Sequence, residues 1–347
     1  MQIYTSHRKA RDKKCAPGNE LRCYLRRGWS PAKILVNKWA GVYAYPQQAF
    51  NLPRKEYRMF ANVQEYYHAT SLRDALKKLG KNEQQIPVPV TGAFHLISSK
   101  LRAATSLVDI SAVGLDYVKL EARKLAIGGT ATFQQIVTSK ELNGVLNGLL
   151  PKAARTYSTK IQRNTTTLQD VLFGYATYFD LLTALLALDT QVKVQGKTKR
   201  VVPLQQFFVS DNRAILSNQE IATEFSAKLP GGDVGASLQR VALTDGDAVA
   251  ILNVVAILKM SGKKCAEARI AVGSGVPAPV RLTQLEQELV GKPLDAALVE
   301  TVSAKAGELI QTVSDIRGSA QYRKQISGVL VRRAIAEAYQ NAKGREL

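Results

Sequence analysis

Two short glycine-containing turns are the parts of this sequence best suited to chemistry. One is Thr91-Gly92-Ala93 and the other is Ile127–Thr132, which reads IGGTAT, and each follows a predicted strand. Glycine lets a ligand approach the backbone closely, and successive backbone N–H groups can form an anion-binding nest. Together with a third turn near residues 165–170, these turns can surround a pyrophosphate. Any one of them taken alone is more often a structural turn.

Metal and nucleophilic chemistry have little support in the sequence. An iron–sulfur cluster or a zinc site needs several clustered thiolates or imidazoles. The chain has no CxxC pair, and its thiols and imidazoles are scattered over Cys15, Cys23, Cys265, His7, His68 and His95. No nucleophile–base pair is recognisable, so a free-standing enzyme with its own catalytic side chains is not expected. The odd, sparse cysteine count fits a reducing compartment, and we expect a cytoplasmic protein.

The chain carries a formal net charge of +20, and much of it is local. Thirteen Lys and Arg residues precede Phe60, against three Asp and Glu residues. Such a segment can bind nucleic acid or an acidic lipid surface. It can equally dock on an acidic partner protein or stay solvated, and we favour this second interpretation because no nucleic-acid motif follows it.

The elements that position the turns follow from local signals. The segment HATSLRDALKKLG predicts a helix that Thr70 or Ser71 caps and that Gly80 ends. QQIPVPV predicts a strand leading into the first turn, and YVKLEARKLAIGG predicts a hairpin leading into the second. Helical pieces follow, with Thr130 or Thr132 as a cap, and residues 181–188 predict a short buried helix.

Three regions are expected along the chain. Residues 1–59 form a basic extension with one short helix near Ser30, residues 60–230 a first domain, and residues 236–347 a second. Between the domains, the segment PGGDVGAS (Pro230–Ser237) is the clearest linker. The second domain should contain two antiparallel strands joined at KMSGKK, followed by helices. No apolar run approaches the roughly 20 residues that a membrane span needs.

A collinear set of motifs resembles one known family over roughly residues 60 to 340. The motifs are TGAFHLI (Thr91–Ile97), LVDI (Leu107–Ile110), IGGTAT (Ile127–Thr132), IQRNTTTLQD (Ile161–Asp170), PLQQFF (Pro203–Phe208) and SDIRGSAQYRKQISGVLVRRA (Ser314–Ala334). In this order they resemble the FAD-binding medium subunit of molybdenum hydroxylases, the xanthine dehydrogenase and carbon monoxide dehydrogenase type. The last motif is the most specific.

The resemblance implies a fold, a cofactor and partners. The fold would be α+β: a two-subdomain FAD-binding domain of the vanillyl-alcohol-oxidase type, then a C-terminal domain with a small antiparallel sheet and helices. FAD would take electrons from iron–sulfur clusters on a small subunit, which receives them from a molybdopterin large subunit. The positions implied to bind FAD are Thr91, Gly92, Ala93, Gly128, Gly129, Thr130, Thr132, Arg163, Asn164, Thr167 and Asp180.

The sequence also departs from the family pattern at the third turn. Where the family has TIGGN, this chain has Thr167-Leu168-Gln169-Asp170-Val171, so both glycines are lost and a carboxylate is added. Small residues are replaced by aromatic ones at Phe173, Tyr175, Tyr178 and Phe179. Two interpretations stay open: FAD is bound through a rearranged turn, or aromatic side chains fill the site and the subunit is a flavin-less structural or acceptor-docking component. A basic nucleic-acid- or membrane-binding protein on this fold is a third hypothesis.

Overall fold

The computed structural model describes residues 60, 62–80, 85–93, 101–174, 178–208, 216–244 and 248–344. The basic extension 1–59, with the helix predicted near Ser30, lies outside the described residues. So do His95 and Tyr175.

Over its described residues, the first subdomain is a three-stranded parallel sheet in the order β1-β3-β2, with a crossover helix between β1 and β2. Its elements are β1 (Glu65–His68), α1 (Leu72–Leu79), β2 (Pro87–Val90) and β3 (Ser106–Asp109). The hydroxyl of Ser71 accepts a hydrogen bond from the Asp74 N–H, and Gly80 ends the helix, as predicted. Every residue of β2 and β3 is buried, which is typical of parallel strands covered on both faces.

The second subdomain is built on a five-stranded antiparallel sheet in the order β4-β5-β8-β6-β7. The predicted hairpin is present as β4–β5, and a second hairpin, β6–β7, turns around Gly196. The strands are β4 (Val118–Glu121), β5 (Lys124–Gly128), β6 (Gln191–Gln195), β7 (Lys199–Pro203) and β8 (Ile221–Lys228). The helices are α2 (Phe133–Thr138), α3 (Leu149–Arg155), α4 (Lys160–Arg163), α5 (Leu168–Phe173) and α6 (Asp180–Ala187), with 3₁₀ turns at Val145–Gly148 and Leu204–Phe208.

The C-terminal domain is a four-stranded antiparallel sheet, in the order β12-β11-β10-β9, with helices after it. The strands are β9 (Asp233–Ala242), β10 (Ala250–Ser261), β11 (Lys264–Gly273) and β12 (Val280–Arg281). The helices are α7 (Thr283–Leu289), α8 (Ala296–Ala304), α9 (Ala306–Leu309) and α10 (Ala320–Lys343), and the hydroxyl of Ser319 caps α10.

Strand β10 is apolar on both faces because both faces of its sheet are covered. Leu252 and Val254 begin one alternating set, which packs in a cluster with α10. Val255 and Ile257 point the other way and pack in the cluster that contains α6 of the first domain. Alternate side chains of a strand face opposite sides of the sheet, so a two-sided core requires a continuous apolar run. The run AVAILNVVAIL therefore joins the two domains.

The prediction of a linker at PGGDVGAS was wrong for residues 233–237, which belong to a strand. Strand β9 begins at Asp233 and pairs with β10 from there. Gly235 is a packing residue, because a Cβ at this position would lie 2.0 Å from the carbonyl oxygen of Ala338 in α10. The sequence signal for flexibility was thus a signal for close contact with a helix.

Candidate functional site

The three turns singled out in the sequence meet in the structure. Thr132 of the second turn forms a β-bridge with Thr167 of the third. The Gln169 N–H also donates to the carbonyl oxygen of Gly129 at 2.9 Å. From the first turn, the Thr91 Oγ1 lies 3.2 Å from the Thr167 Oγ1. The predicted convergence of the turns is therefore present.

The glycines of the second turn approach protein backbone. A Cβ on Gly128 would lie 2.0 Å from the carbonyl oxygen of Leu115, and one on Gly129 would lie 1.8 Å from that of Ala222. Both distances are far below contact distance, so these two positions require glycine whether or not a ligand is bound. Close packing against neighbouring backbone therefore explains the two glycines that suggested an anion-binding turn.

The two threonines of the second turn have different surroundings. Thr132 is the N-cap of α2 and forms a capping box with Gln135: its hydroxyl accepts from the Gln135 N–H at 3.2 Å, and its own N–H donates to the Gln135 Oε1 at 2.8 Å. The Thr130 hydroxyl is buried and has no hydrogen-bond partner within the described part of the chain.

Asp170 is the centre of the third turn. Its Oδ2 accepts from the N–H and the hydroxyl of Thr167, at 3.2 and 2.9 Å, which completes a capping box at the start of α5. The same oxygen accepts from the hydroxyl of Thr91, and the carboxylate also accepts from the Ala93 N–H. A carboxylate of the third turn therefore accepts hydrogen bonds from donors of the first turn.

The Asp170 carboxylate is 1% exposed, and burial raises its pKa to about 6 although its hydrogen bonds act in the opposite direction. Its neighbour Gln169 is equally buried, and the Gln169 Oε1 accepts from the Ala222 N–H of β8 at 2.7 Å. Thus both residues that replace the family's glycines are fixed by the protein itself.

Arg163 and Asn164 stabilise the chain before the third turn. The Arg163 guanidinium donates to the carbonyl oxygens of Arg155 at 3.2 Å and Tyr157 at 3.0 Å, and to that of Ser158. Asn164 ends α4, and its N–H donates to the carbonyl oxygen of Lys160. These contacts are all with the protein itself, so a role toward a ligand stays a prediction for both residues.

The polar contacts of Asp180 lie at the domain boundary. Its carboxylate is 2.9 Å from the Nε of Arg240 in β9 and accepts from the side-chain amide of Asn253 in β10. Burial raises the pKa of Asp180, while Arg240 opposes the rise. This carboxylate therefore joins the first domain to the C-terminal sheet.

Three of the aromatic residues that replace small family residues, Phe173, Tyr178 and Phe179, lie among the described residues and pack in or against the core. Phe173 and Phe179 are both buried. The Phe179 ring makes edge contacts with Phe133 and Tyr157, at centroid distances of 5.6 and 4.6 Å. Tyr178 lies against Phe179 and is also 6.0 Å from the guanidinium carbon of Arg317. These rings link the first domain to the C-terminal motif.

Other kinds of site find no support in the described part of the chain. Within it, no group of three or more His, Cys, Asp or Glu side chains could hold a metal ion. Cys265 is buried, and burial raises the pKa of its thiol to about 11, so it is not a reactive thiolate. The helices described there are all too short or too polar to cross a membrane.

Two family models match the chain, one for each domain. Residues 58–227 match the FAD binding domain in molybdopterin dehydrogenase, and residues 239–338 match the CO dehydrogenase flavoprotein C-terminal domain. This chain belongs to the family of medium subunits of the molybdenum hydroxylases. The resemblance inferred from the motifs is confirmed.

Curated relatives of this medium subunit align over nearly their whole length. One is the 6-hydroxypseudooxynicotine dehydrogenase complex subunit alpha of Paenarthrobacter nicotinovorans, 28% identical, with 80% of this chain and 95% of the relative covered. Another is the xanthine dehydrogenase FAD-binding subunit of Escherichia coli, 24% identical, with 81% and 97% covered. The solved carbon monoxide dehydrogenase of Hydrogenophaga pseudoflava superposes with a TM-score of 0.71 at 22% identity, covering 80% of this chain and 98% of that one. The predicted fold class is confirmed.

In this medium subunit the Asp170 carboxylate occupies donors of the first and third turns that could otherwise bind the pyrophosphate of FAD. The donors that could bind an anion, on Thr91, Ala93 and Thr167, are already bonded to Asp170. A Cβ on Gly92 would lie 3.4 Å from the carbonyl oxygen of Thr165, so the first and third turns are in contact. A pyrophosphate does not fit between them in this conformation.

Sequence reasoning missed several residues that build this region. Arg240 and Asn253, the partners of Asp180, lie in strands and carry no local signal. The substitutions at Gln169 and Asp170 were detectable as departures from the family pattern. The donors that hydrogen-bond to these two side chains were not detectable. Arg323 was noted in the C-terminal motif, yet its complete burial was not foreseen.

Proposed function

We propose that this chain is the medium subunit of a molybdenum hydroxylase complex, which passes electrons from partner iron–sulfur clusters to an acceptor. The observation that carries the proposal is the match of both domains, residues 58–227 and 239–338, to the two domain families of such subunits. In this family FAD is the group that supplies the electron transfer. The partners would be an iron–sulfur small subunit and a molybdopterin large subunit.

The names of relatives support the assignment to a complex. One curated relative is a subunit of a dehydrogenase complex, and others are named as medium chains of glyceraldehyde and carbon monoxide dehydrogenases. The substrate of this complex does not follow from the chain, because the relatives differ in substrate at similar identity. We also infer a cytoplasmic location, which the sparse cysteines, none of them in a CxxC pair, support.

A second candidate is a flavin-less subunit of the same complex, which would hold the assembly together or dock an electron acceptor. The closed contact between the first and third turns favours it, since the donors there bond to Asp170. We therefore assign no electron-transfer step to residues of these turns. A nucleic-acid- or membrane-binding protein is the weakest candidate, because it rests on residues 1–59 alone. It predicts binding that falls steeply with salt.

The test is purification of the full chain from its host through a C-terminal tag. We expect it to copurify with one subunit bearing clustered cysteines and one large subunit bearing molybdopterin, in about equal amounts. Acid-released flavin in that complex separates the two candidates. Elution of the chain alone at physiological salt, with both partners expressed, would contradict the proposal.

A further inference from the structure

Four hydrogen-bond donors from two subdomains converge on one buried carboxylate. Asp170 accepts from the N–H and hydroxyl of Thr167, from the hydroxyl of Thr91 and from the Ala93 N–H. Two backbone N–H groups and two hydroxyls around one anion are the donor set that turns of this kind offer to a phosphate. Here the anion is part of the chain.

An ordinary capping box accounts for only half of this arrangement. In a capping box the side chain three residues into the helix bonds back to the N-cap residue, as Asp170 does with Thr167. The bonds from Thr91 and Ala93 come from the turn after β2, in the other subdomain. The neighbouring helix α2 has a capping box too, but there the Gln135 side chain bonds the Asp116 carbonyl oxygen and not the first turn. Of these two capping boxes, only the one of Asp170 also bonds to the first turn.

The third turn is fixed on its other side by Gln169. The Gln169 Oε1 accepts from the Ala222 N–H at 2.7 Å, and its N–H donates to the carbonyl oxygen of Gly129 at 2.9 Å. The Phe133 N–H donates to the carbonyl oxygen of Thr166 at 2.9 Å. A dinucleotide that entered here would have to break bonds to Asp170 and overcome repulsion between a buried carboxylate and a phosphate.

We propose that the Asp170 carboxylate permanently takes the place of a dinucleotide phosphate between the first and third turns, so that the subunit folds and assembles without FAD there. The proposal rests on the second candidate of the proposed function, the flavin-less subunit of the same complex, because it concerns the site at which this family of subunits binds its flavin. It goes further in assigning Asp170 a structural role, in which its hydrogen bonds hold the two subdomains together.

The first experiment measures flavin in the wild-type full chain, isolated in its complex and alone. We expect flavin far below one per chain. About one flavin per chain would overturn the proposal, whatever the variants show. Absence of partner subunits would count against the proposed function only, since the flavin content of the chain alone is measured in either case.

The second experiment follows the thermal unfolding midpoint with added inorganic pyrophosphate, ADP or FAD. For the wild type we expect no shift. Asp170→Ala removes the carboxylate and leaves the donors, so its midpoint should be lower and should rise saturably with pyrophosphate. Asp170→Asn keeps the volume filled and should show no response. If pyrophosphate raises the wild-type midpoint as much as that of Asp170→Ala, the proposal is overturned.

A matched control separates the effect of losing the Asp170 contact between the subdomains from the effect of losing a helix cap. Gln135→Ala breaks the capping box of α2 without releasing the donors of the first turn. Its midpoint should fall, and pyrophosphate should leave it unchanged. An equal pyrophosphate response in Gln135→Ala and Asp170→Ala would mean non-specific ion stabilisation and would contradict the proposal. If Asp170→Ala does not fold, the flavin content of the wild type decides.

Discussion

The carboxylate of Asp180 lies 2.9 Å from the Nε of Arg240, and this ion pair joins the first turn of α6 to strand β9 across the domain boundary. The two side chains are only 3% and 18% exposed. Removing one partner of such a pair leaves the other charge buried without compensation, which is more destabilising than losing the pair.

Arg240→Met should therefore lower the free energy of unfolding by about 3 kcal/mol. The double variant Asp180→Asn/Arg240→Met should lose less than the sum of the two single variants, because no unpaired charge remains. Urea denaturation of the full chain measures both. The exposed pair Arg332–Glu300 is the control, and Arg332→Met should cost under about 1 kcal/mol. Equal losses at the two pairs would contradict the assignment of the boundary pair.

The stability of the chain should fall as the pH rises through the pKa of Asp170. Burial raises this pKa to about 6, against about 4 for an unfolded aspartate. Below the unfolded value the group is protonated in both states and its contribution is fully present. As the pH rises from about 4 to about 6, the unfolded chain releases this proton while the folded chain keeps it, so that about 3 kcal/mol is lost by the time the buried group ionises.

Asp170→Asn has no proton to release and should lack this part of the pH dependence. Free energies of unfolding in urea between about pH 4 and about pH 7 measure the difference between the two chains. We expect the advantage of the wild type over the variant to shrink across this range. Parallel profiles would show that the carboxyl group does not titrate there.

Gly129→Ala should strongly destabilise the second subdomain. The added Cβ would lie 1.8 Å from the carbonyl oxygen of Ala222, so the β5 end and β8 must separate, at about 3 kcal/mol or more. Gly80→Ala is the control, since its Cβ would meet the Leu76 carbonyl oxygen at 3.4 Å, and its loss should stay within about 1 kcal/mol. Thermal unfolding compares the two. A mild effect at Gly129 would mean that the strand ends can relax.

The C-terminal motif should act mainly through Arg323. This side chain is fully buried; its Nε donates to the carbonyl oxygen of Ile251 at 2.9 Å and an Nη donates to Asp315 at 2.6 Å. Burial raises the pKa of Asp315, but hydrogen bonds from Arg317 and Arg323 outweigh it and hold the pKa well below its usual range. Arg323→Met leaves these acceptors unpaired and should cost about 3 kcal/mol.

Tyr322→Phe is the matched control for this motif, because Tyr322 is 42% exposed. Its free energy of unfolding should stay within about 0.5 kcal/mol of the wild type. If Arg323→Met unfolded at the same urea concentration as the wild type, the motif would have to serve partner contact and not folding.

Much of the fold was predictable because its signals are local. Ser71 and Gly80 delimit α1, Thr132 starts α2, and the hairpin β4–β5 forms as expected. The order of the motifs indicated the family, and the family resemblance supported the prediction that the three turns lie close together. The segment after Pro230 misled because glycine marks both flexible linkers and close packing, and only the position of α10 decides between them.

The sequence by itself determined that two glycine turns and a degenerate third one exist, and that Asp170 brings a charge to a place where the family has glycine. Only the tertiary structure decided what that charge does. The pairing of Asp170 with Thr91 and of Asp180 with Arg240 joins residues far apart in the chain. Such contacts depend on how subdomains and domains pack, which local propensity does not encode, and the cost of a buried carboxylate is set by the donors that packing brings to it.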